Sequence, residues 1–192
     1  MNKILLIDGH SILNRAFYGV PPLTNFEGLH TNAVYGFINI MLKSLEDEHA
    51  DYIAVAFDLK APTFRHEMFA EYKGTRKPMP QELHEQVPVI KEVLAAMTIP
   101  VITLEGYEAD DILGTLAKRC QRDGFEVSIL SGDRDLLQLA DEHIKIRMPK
   151  TVKGQTSIEN YYPSDVIDKY QVTPEEFIDL KACLLYTSPS PR

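Results

Sequence analysis

The sequence is poor in cysteine and has no long apolar run. Cys120 and Cys183 are its two thiols in 192 residues, too few for the disulfide framework of a small secreted domain. Cys120 falls in step with Ile112 and Leu116 on an expected helix, which reads as a buried structural thiol. The longest apolar runs are strand-sized, so a membrane-spanning helix is excluded. The opening run Ile4-Leu5-Leu6-Ile7 is too short for a secretory signal and is cut by Asp8. A cytoplasmic protein with no membrane partner is expected. No glycine-rich loop ends in Gly-Lys-Ser/Thr, which disfavours a P-loop nucleotidase, and no Gly-x-Ser-x-Gly is present. Positive charge is also short: 20 Lys and Arg stand against 28 Asp and Glu, for a formal net charge of −8. Taken over the whole chain, that balance argues against a nucleic-acid partner.

What is present is an alternation of short apolar runs with helical periodicity, the pattern of βαβ units around a parallel sheet. Strands are expected near 3–8, 53–58, 99–104, 126–131 and 144–148. Ala33, Val34, Phe37, Ile38, Met41, Leu42 and Leu45 repeat at helical spacing and predict a helix over 31–48. Another is expected over about 109–123, closed by Gly124, and a short one after Asp133. Pro163-Ser164-Asp165 and Thr173-Pro174-Glu175 each read as a helix start. At 192 residues one domain is the default.

Seven acids stand at the carboxyl ends of four of these strands. Asp8 ends the first and Asp58 the second. Glu108, Asp110 and Asp111 follow the third, and Asp133 and Asp135 the fourth. That edge of an open parallel sheet is where ligands bind. Like charges converging there repel unless something neutralises them. Each acid alone has an ordinary reading: Asp8 and Asp58 can cap a turn, Glu108 to Asp111 can serve a helix dipole, and Asp-Arg-Asp can be a solvated loop. Recurrence at four strand ends favours a metal site. All-oxygen ligation suits Mg²⁺ or Mn²⁺. Two such ions about 4 Å apart can activate water and stabilise a leaving oxyanion, the chemistry of phosphodiester hydrolysis. Setting these seven charges aside takes the net charge from −8 to −1, so the global balance does not decide the partner. His10 lies near an acid and reads as a turn residue.

Residues 60–98 form a long crossover whose first half is basic and broken by Pro78 and Pro80. Arg65, Lys73, Arg76 and Lys77 flank Tyr72 there; cations grip phosphate, and an aromatic can stack on an unpaired base. A solvated loop carrying the same charges is the competing reading. An amphipathic run follows, through Leu83, Val87, Ile90, Val93 and Leu94. Residues 183–192 break from the periodicity of 177–182. They resemble the translation of a sequencing-library adapter, the alternative being a flexible Pro/Ser-rich tail.

Ile7-Asp8-Gly9-His10, Phe57-Asp58, Phe64-Arg65 with Tyr72-Lys73-Gly74-x-Arg76, Gly106-Tyr107-Glu108-Ala109-Asp110-Asp111 and Ser131-Gly132-Asp133-Arg134-Asp135 together resemble the 5′-nuclease domains of bacterial DNA polymerase I, in the flap-endonuclease superfamily. The resemblance covers residues 2–182 in order. It implies an α/β, PIN-like core: a mostly parallel twisted sheet with helices on both faces, a helical arch over about 65–98, a domain spanning 1–182 and a non-native tail over 183–192. It implies two-metal (Mg²⁺ or Mn²⁺) 5′-3′ exonuclease and flap-endonuclease activity on DNA with a 5′ flap, nick or single-stranded 5′ end, including RNA-primed ends, in primer removal and repair. Monomer is the family expectation.

By the same resemblance, Asp8, Asp58, Glu108 and Asp110 are ligands of the first metal, and Asp111 binds it through water. Asp133 lies between the sites and Asp135 near the second. Lys73 and Arg76 hold the scissile phosphate as catalytic cations, Tyr72 stacks on a terminal base, and Arg65 and Lys77 join the DNA contacts. The family continues past the equivalent of residues 180–182 with Met-Gly-Asp, a second aspartate and a helix–hairpin–helix-like element, none of which is in this sequence. A weak second metal site, a weaker grip on duplex and impaired activity are therefore expected. A PIN-type ribonuclease and a non-catalytic DNA-binding remnant are the competing readings. Whether the nuclease stands alone or precedes a polymerase is left open.

Overall fold

A computed structural model describes residues 1–69, 71–72, 74, 78–152 and 155–187, with the backbone alone at 151–152, 155–156 and 184–187. Strand β1 (Lys3–Asp8) runs into helix α1 (Gly9–Gly19), then α2 (Asn32–Glu48) and β2 (Tyr52–Ala56). The crossover holds α3 (Phe64–Met68), α4 (Gln81–His84) and α5 (Gln86–Ala96) before the short β3 (Val101–Ile102). Helix α6 (Ala109–Arg122), β4 (Glu126–Leu130) and a 3₁₀ turn over Arg134–Leu139 follow. The chain closes with β5 (Ile144–Val152), β6 (Gln155–Tyr161), α7 (Pro163–Tyr170) and α8 (Phe177–Thr187).

The sheet order is β3-β2-β1-β4-β5-β6. β1 pairs in parallel with both β2 and β4, β2 with β3, and β4 with β5; β6 alone is antiparallel, against β5. The three central strands therefore present their carboxyl ends along one edge. Alternation along β1 sends Leu5 and Ile7 to one face and Leu6 to the other. Leu5 and Ile7 join α1, α2 and α5 in one core, with Phe37, Met41, Ile90 and Leu94 fully buried. Leu6 joins α6, the 3₁₀ turn, α7 and α8 in the second. The α/β core with helices on both faces is as expected.

Three local results differ from expectation. First, α1 occupies residues for which no helix is expected. Gly9 opens it because a Cβ there would sit 2.5 Å from the Phe57 ring, so only glycine admits this approach. Second, β5 continues to Val152 and β6 returns beside it, where a strand ending at 148 is expected. Third, α8 runs to Thr187, past the expected break at residue 182, and starts at Phe177 rather than at Pro174. Thr173 still caps the segment: its Oγ1 accepts from Glu176 N, and its own N–H donates to Glu176 Oε2.

The second half of the expected arch belongs to the globular layer. Leu83, Ile90 and Leu94 are buried beneath it. Gln86, fully buried, accepts from Ala33 N and Val34 N at 2.8 and 3.2 Å and so caps α2 from 53 residues away. Cys120 is half-buried against the α6 core, and burial pushes its thiol pKa up, the inert condition expected of a structural cysteine.

Candidate active site

Asp8 is the centre of the carboxylate edge. It ends β1 and caps α1, accepting from Ser11 N at 3.0 Å through Oδ1. Its Oδ2 accepts from the fully buried Ser131 hydroxyl at 2.8 Å. Both donors are neutral, and Asp8 is only 5% exposed. Burial pushes its carboxyl above the ordinary carboxylate range; Ser11 and Ser131 oppose this, and the charges of Asp58 and Asp133 add to it. The capping role that the sequence offers for Asp8 is thus present, and it does not exclude ligation.

Asp58 leaves the end of β2 and accepts from Ala109 N at 2.6 Å, fastening this strand end to the N-terminus of α6. His10 receives the Asp58 backbone N–H on Nδ1 at 3.3 Å and packs edge-on to Phe57. It positions the Asp58 loop, a more specific role than that of a turn residue.

Glu108 precedes α6, and Asp110 and Asp111 lie in its first turn. Asp111 Oδ2 accepts from Glu108 N at 3.0 Å. Both Asp111 oxygens also take the Arg65 guanidinium, at 2.7 and 2.8 Å, and Arg65 Nη1 lies 3.7 Å from Glu108 Oε2. These bonds hold Arg65 protonated and raise its pKa. The Tyr72 hydroxyl donates to Glu108 Oε2 at 3.2 Å. Arg65 and Tyr72, read from sequence as DNA contacts, are thus joined to the acids themselves. Part of the repulsion that sequence reasoning assigns to metal ions is met by a protein cation.

Asp133 caps the 3₁₀ turn, its Oδ1 accepting from Asp135 N at 2.9 Å. Its own N–H donates to Ser131 Oγ at 3.0 Å, so Ser131 ties Asp133 to Asp8. Asp135 meets Lys181 Nζ at 2.6 Å. Lys73, Arg76 and Lys77 lie outside the described residues. The sequence gives Ser11 and Ser131 no role, yet they build the junction: Ser11 Oγ accepts from Gly132 N at 2.9 Å. The signal for Ser131 was its place in Ser-Gly-Asp directly after a buried strand.

Among the described residues, no three Asp, Glu, His or Cys side chains close on one point as they would around an ion. The donor set still fits hard cations. Every candidate ligand is a carboxylate, and the most buried of those described, Asp8, has only neutral partners among the described residues while facing the charges of Asp58 and Asp133.

A family model described as the 5′-3′ exonuclease, N-terminal resolvase-like domain matches residues 3–171. DNA polymerase I of Bacillus caldotenax is 52% identical over 182 residues, covering 95% of this chain and 20% of that protein. That of Bacillus subtilis is 51% identical with the same coverage. The chain thus spans about a fifth of the length of these curated relatives. Among solved structures, the bacteriophage T5 D15 flap endonuclease bound to DNA and metal ions superposes with a TM-score of 0.73 at 22% identity, over 95% of this chain and 66% of that one. The catalytic core of Rad2 with DNA substrate gives 0.53 at 17%, over 93% and 53%. These two likenesses speak to the fold. With residues 3–171 matched, the chain belongs to the family of 5′-3′ exonuclease N-terminal, resolvase-like domains.

Proposed function

We propose that this chain is the N-terminal nuclease part of a DNA polymerase I and acts on DNA phosphodiesters at 5′ ends, flaps and nicks, including RNA-primed ends. The observation that carries the reading is Asp8: a buried carboxylate on neutral donors, linked through Ser131 to Asp133 and facing Asp58 across the sheet edge. Asp8, Asp58, Glu108 and Asp110 would hold one Mg²⁺ or Mn²⁺, with Asp111 through water, and Asp133 and Asp135 a second. When bound, such ions polarise the phosphodiester and lower the pKa of the attacking water.

The protein's own contribution is positioning. Ser131 and Ser11 N fix the Asp8 carboxylate, the two serine hydroxyls hold the backbone of Asp133 and Gly132, and Ala109 N fixes Asp58. Arg65 restrains Asp111 and Glu108 and carries a guanidinium suited to bidentate phosphate contact. Tyr72, beside Glu108, offers a ring on which a terminal base can stack. Lys73, Arg76 and Lys77 are assigned to the phosphates on the strength of the basic segment that carries them. An ion at Asp135 competes with the Lys181 ammonium, which makes the second site the weaker one and cleavage by this chain slow. Primer removal and repair in the cytoplasm, by a monomer, is the setting this reading fits.

The test is cleavage of a labelled 5′-flap duplex and of single-stranded RNA with Mg²⁺ or Mn²⁺. The flap is expected to be cut and the RNA spared, and Asp133→Ala is expected to abolish cutting. Preferential RNA cleavage would move the assignment to a PIN-type ribonuclease. Activity that survives both chelation and Asp133→Ala would remove the metal site.

A further inference from the structure

Between β3 and α6 the chain makes a tight turn. Tyr107 N–H donates to Leu104 O at 3.3 Å, and Gly106 takes a φ of 81°, a left-handed conformation that glycine accepts without steric cost. An added Cβ at Gly106 would meet no atom within 4 Å, so the turn stands in open space. Tyr107 leaves it directly before Glu108 and is 48% exposed.

A second ring braces Tyr107. Phe64 opens α3 and is 38% exposed; its ring lies 5.8 Å from that of Tyr107, with the planes at 53°. The Phe64 N–H donates to Gly106 O at 3.0 Å, which joins α3 to the turn. The Arg65 guanidinium, bound to Asp111, lies over Phe64 with its Cζ 4.5 Å from the ring centroid. Neither ring belongs to either core. A lone exposed aromatic is ordinary on a protein surface. This pair differs, because a backbone hydrogen bond and a cation fix it while both rings stay open to water. Covering such rings is favourable, so the arrangement suits a ligand that lies on them.

The surroundings indicate its chemistry. Glu67, Glu105 and Glu108 flank the pair in the chain, and the adjacent cation, Arg65, is already engaged by Asp111 and Glu108. A phosphate is repelled there, whereas the uncharged face of a nucleobase is not, and it stacks well on an aromatic ring. Tyr72 approaches the same Glu108 from beyond the other end of α3, its ring edge-on to His66. Two aromatic pairs thus converge on one candidate metal ligand. A phosphodiester held at the carboxylates has a nucleotide on either side, and each pair can take one base. Tyr107 and Glu108 are neighbours with Cα atoms about 3.8 Å apart, roughly the 3.4 Å spacing of successive nucleotides in a strand.

We propose that Tyr107, braced by Phe64, stacks on an unpaired base of the 5′ strand within about two nucleotides of the scissile phosphodiester, on the side away from Tyr72. This rests on the nuclease reading above and adds to it a residue that selects strands whose base at this position is intact and free to stack.

The experiment uses the full chain and a 5′-flap duplex in EDTA, with affinity read by fluorescence anisotropy. A single abasic nucleotide is moved one position at a time across the junction. At one position it should weaken wild-type binding about tenfold, the scale of one base–aromatic stack, and it should cost Tyr107→Ala nothing further. Tyr107→Phe should behave as wild type. Each variant is compared with itself on two substrates, so the coupling does not depend on any loss of fold. In a second arm, 2-aminopurine at the coupled position should be quenched on binding to wild type and Tyr107→Phe, but not to Tyr107→Ala.

Equal abasic costs in wild type and Tyr107→Ala at every position, or equal quenching in both, would overturn the stacking role; flap cleavage by the wild type with Mg²⁺ would leave the nuclease reading intact. Coupling of the same position to Tyr72→Ala instead would give that base to the arch and overturn the assignment to Tyr107. A wild type that neither binds the flap nor cuts it with Mg²⁺ or Mn²⁺ would sink the nuclease reading itself.

Discussion

Two buried acids are each held by a serine, one within β4 and one directly after it, and they are treated in opposite ways. Glu48, at the end of α2, accepts from Ser128 Oγ at 2.6 Å. Asp8, at the end of β1, accepts from Ser131 Oγ at 2.8 Å. Their exposures are 6% and 5%. Glu48 also meets Lys145 Nζ at 2.7 Å and the Arg147 guanidinium, which in turn reaches Asp47 at 2.9 Å. Among the described residues Asp8 meets no cation, only a backbone N–H and the hydroxyl. Desolvating a carboxylate is costly in both places. The protein covers the cost itself at Glu48 and, among the described residues, leaves it outstanding at Asp8, which suits the first to a structural cluster and the second to the ion site proposed above.

The largest effect should come from breaking the closed cluster. Glu48→Ala strands Arg147, 3% exposed, without its closest carboxylate. A cost of about 3–5 kcal/mol in unfolding free energy is expected, read from urea melts. Cleavage per folded molecule should not change. A loss below about 1 kcal/mol would show that the cluster is not structural and that the contrast with Asp8 is false.

The open site should respond in the other sense. Asp8→Asn keeps the shape of the cap and removes the charge. Flap cleavage is expected to fall on the order of 10³-fold, about 4 kcal/mol in activation free energy. In EDTA at pH 7 the same variant should melt later than wild type, because burial makes the ionised Asp8 unfavourable in the folded chain. A variant that is both inactive and less stable would reassign Asp8 to the fold.

This comparison also marks what was legible in the sequence. β1, β2 and β4 are read correctly because buried parallel strands are continuous apolar runs, and an acid at the end of each run or within three residues of it marks the edge. Asp8, Asp58, Asp133 and Asp135 are located by that pattern, and Glu108, Asp110 and Asp111 by the start of α6. β3 is expected over 99–104 but pairs only through Val101 and Ile102; Pro100 has no N–H, and the strand lies at the sheet edge. β6 was missed because Thr156, Ser157, Glu159 and Asn160 hide its alternation, although Gly154 between two β-rich stretches was an available cue. Helix α1 was missed because its opening Gly-His-Ser resembles a turn. Partners brought in from afar were out of reach: Arg65 to Asp111 spans 46 residues, and Ser131 to Asp8 spans 123. Such pairs are set by strand order and crossover packing, which spacing along the chain does not encode.

The smallest effect tests a third acid, between the two extremes. Asp141 joins α6 to the start of β5. It accepts from Lys118 and Gln121 through one oxygen and from His143 N and Ile144 N through the other. Burial pushes its carboxyl up, but the Lys118 ammonium and the His143 N–H outweigh that and hold it below the ordinary range. A lowered folded-state pKa stabilises the fold at pH values above the ordinary one, and this contribution disappears as pH falls through the lowered value. Lys118 is 45% exposed, so solvent screens the pair. Asp141→Asn should therefore cost only about 1 kcal/mol at pH 7. The gap to wild type should narrow below about pH 4 and close in stronger acid, when urea melts are repeated across that range. A gap that instead widened in acid would mean that burial governs Asp141 as it governs Asp8, and a protein cation at hydrogen-bond distance would no longer distinguish a structural acid from one that needs a metal.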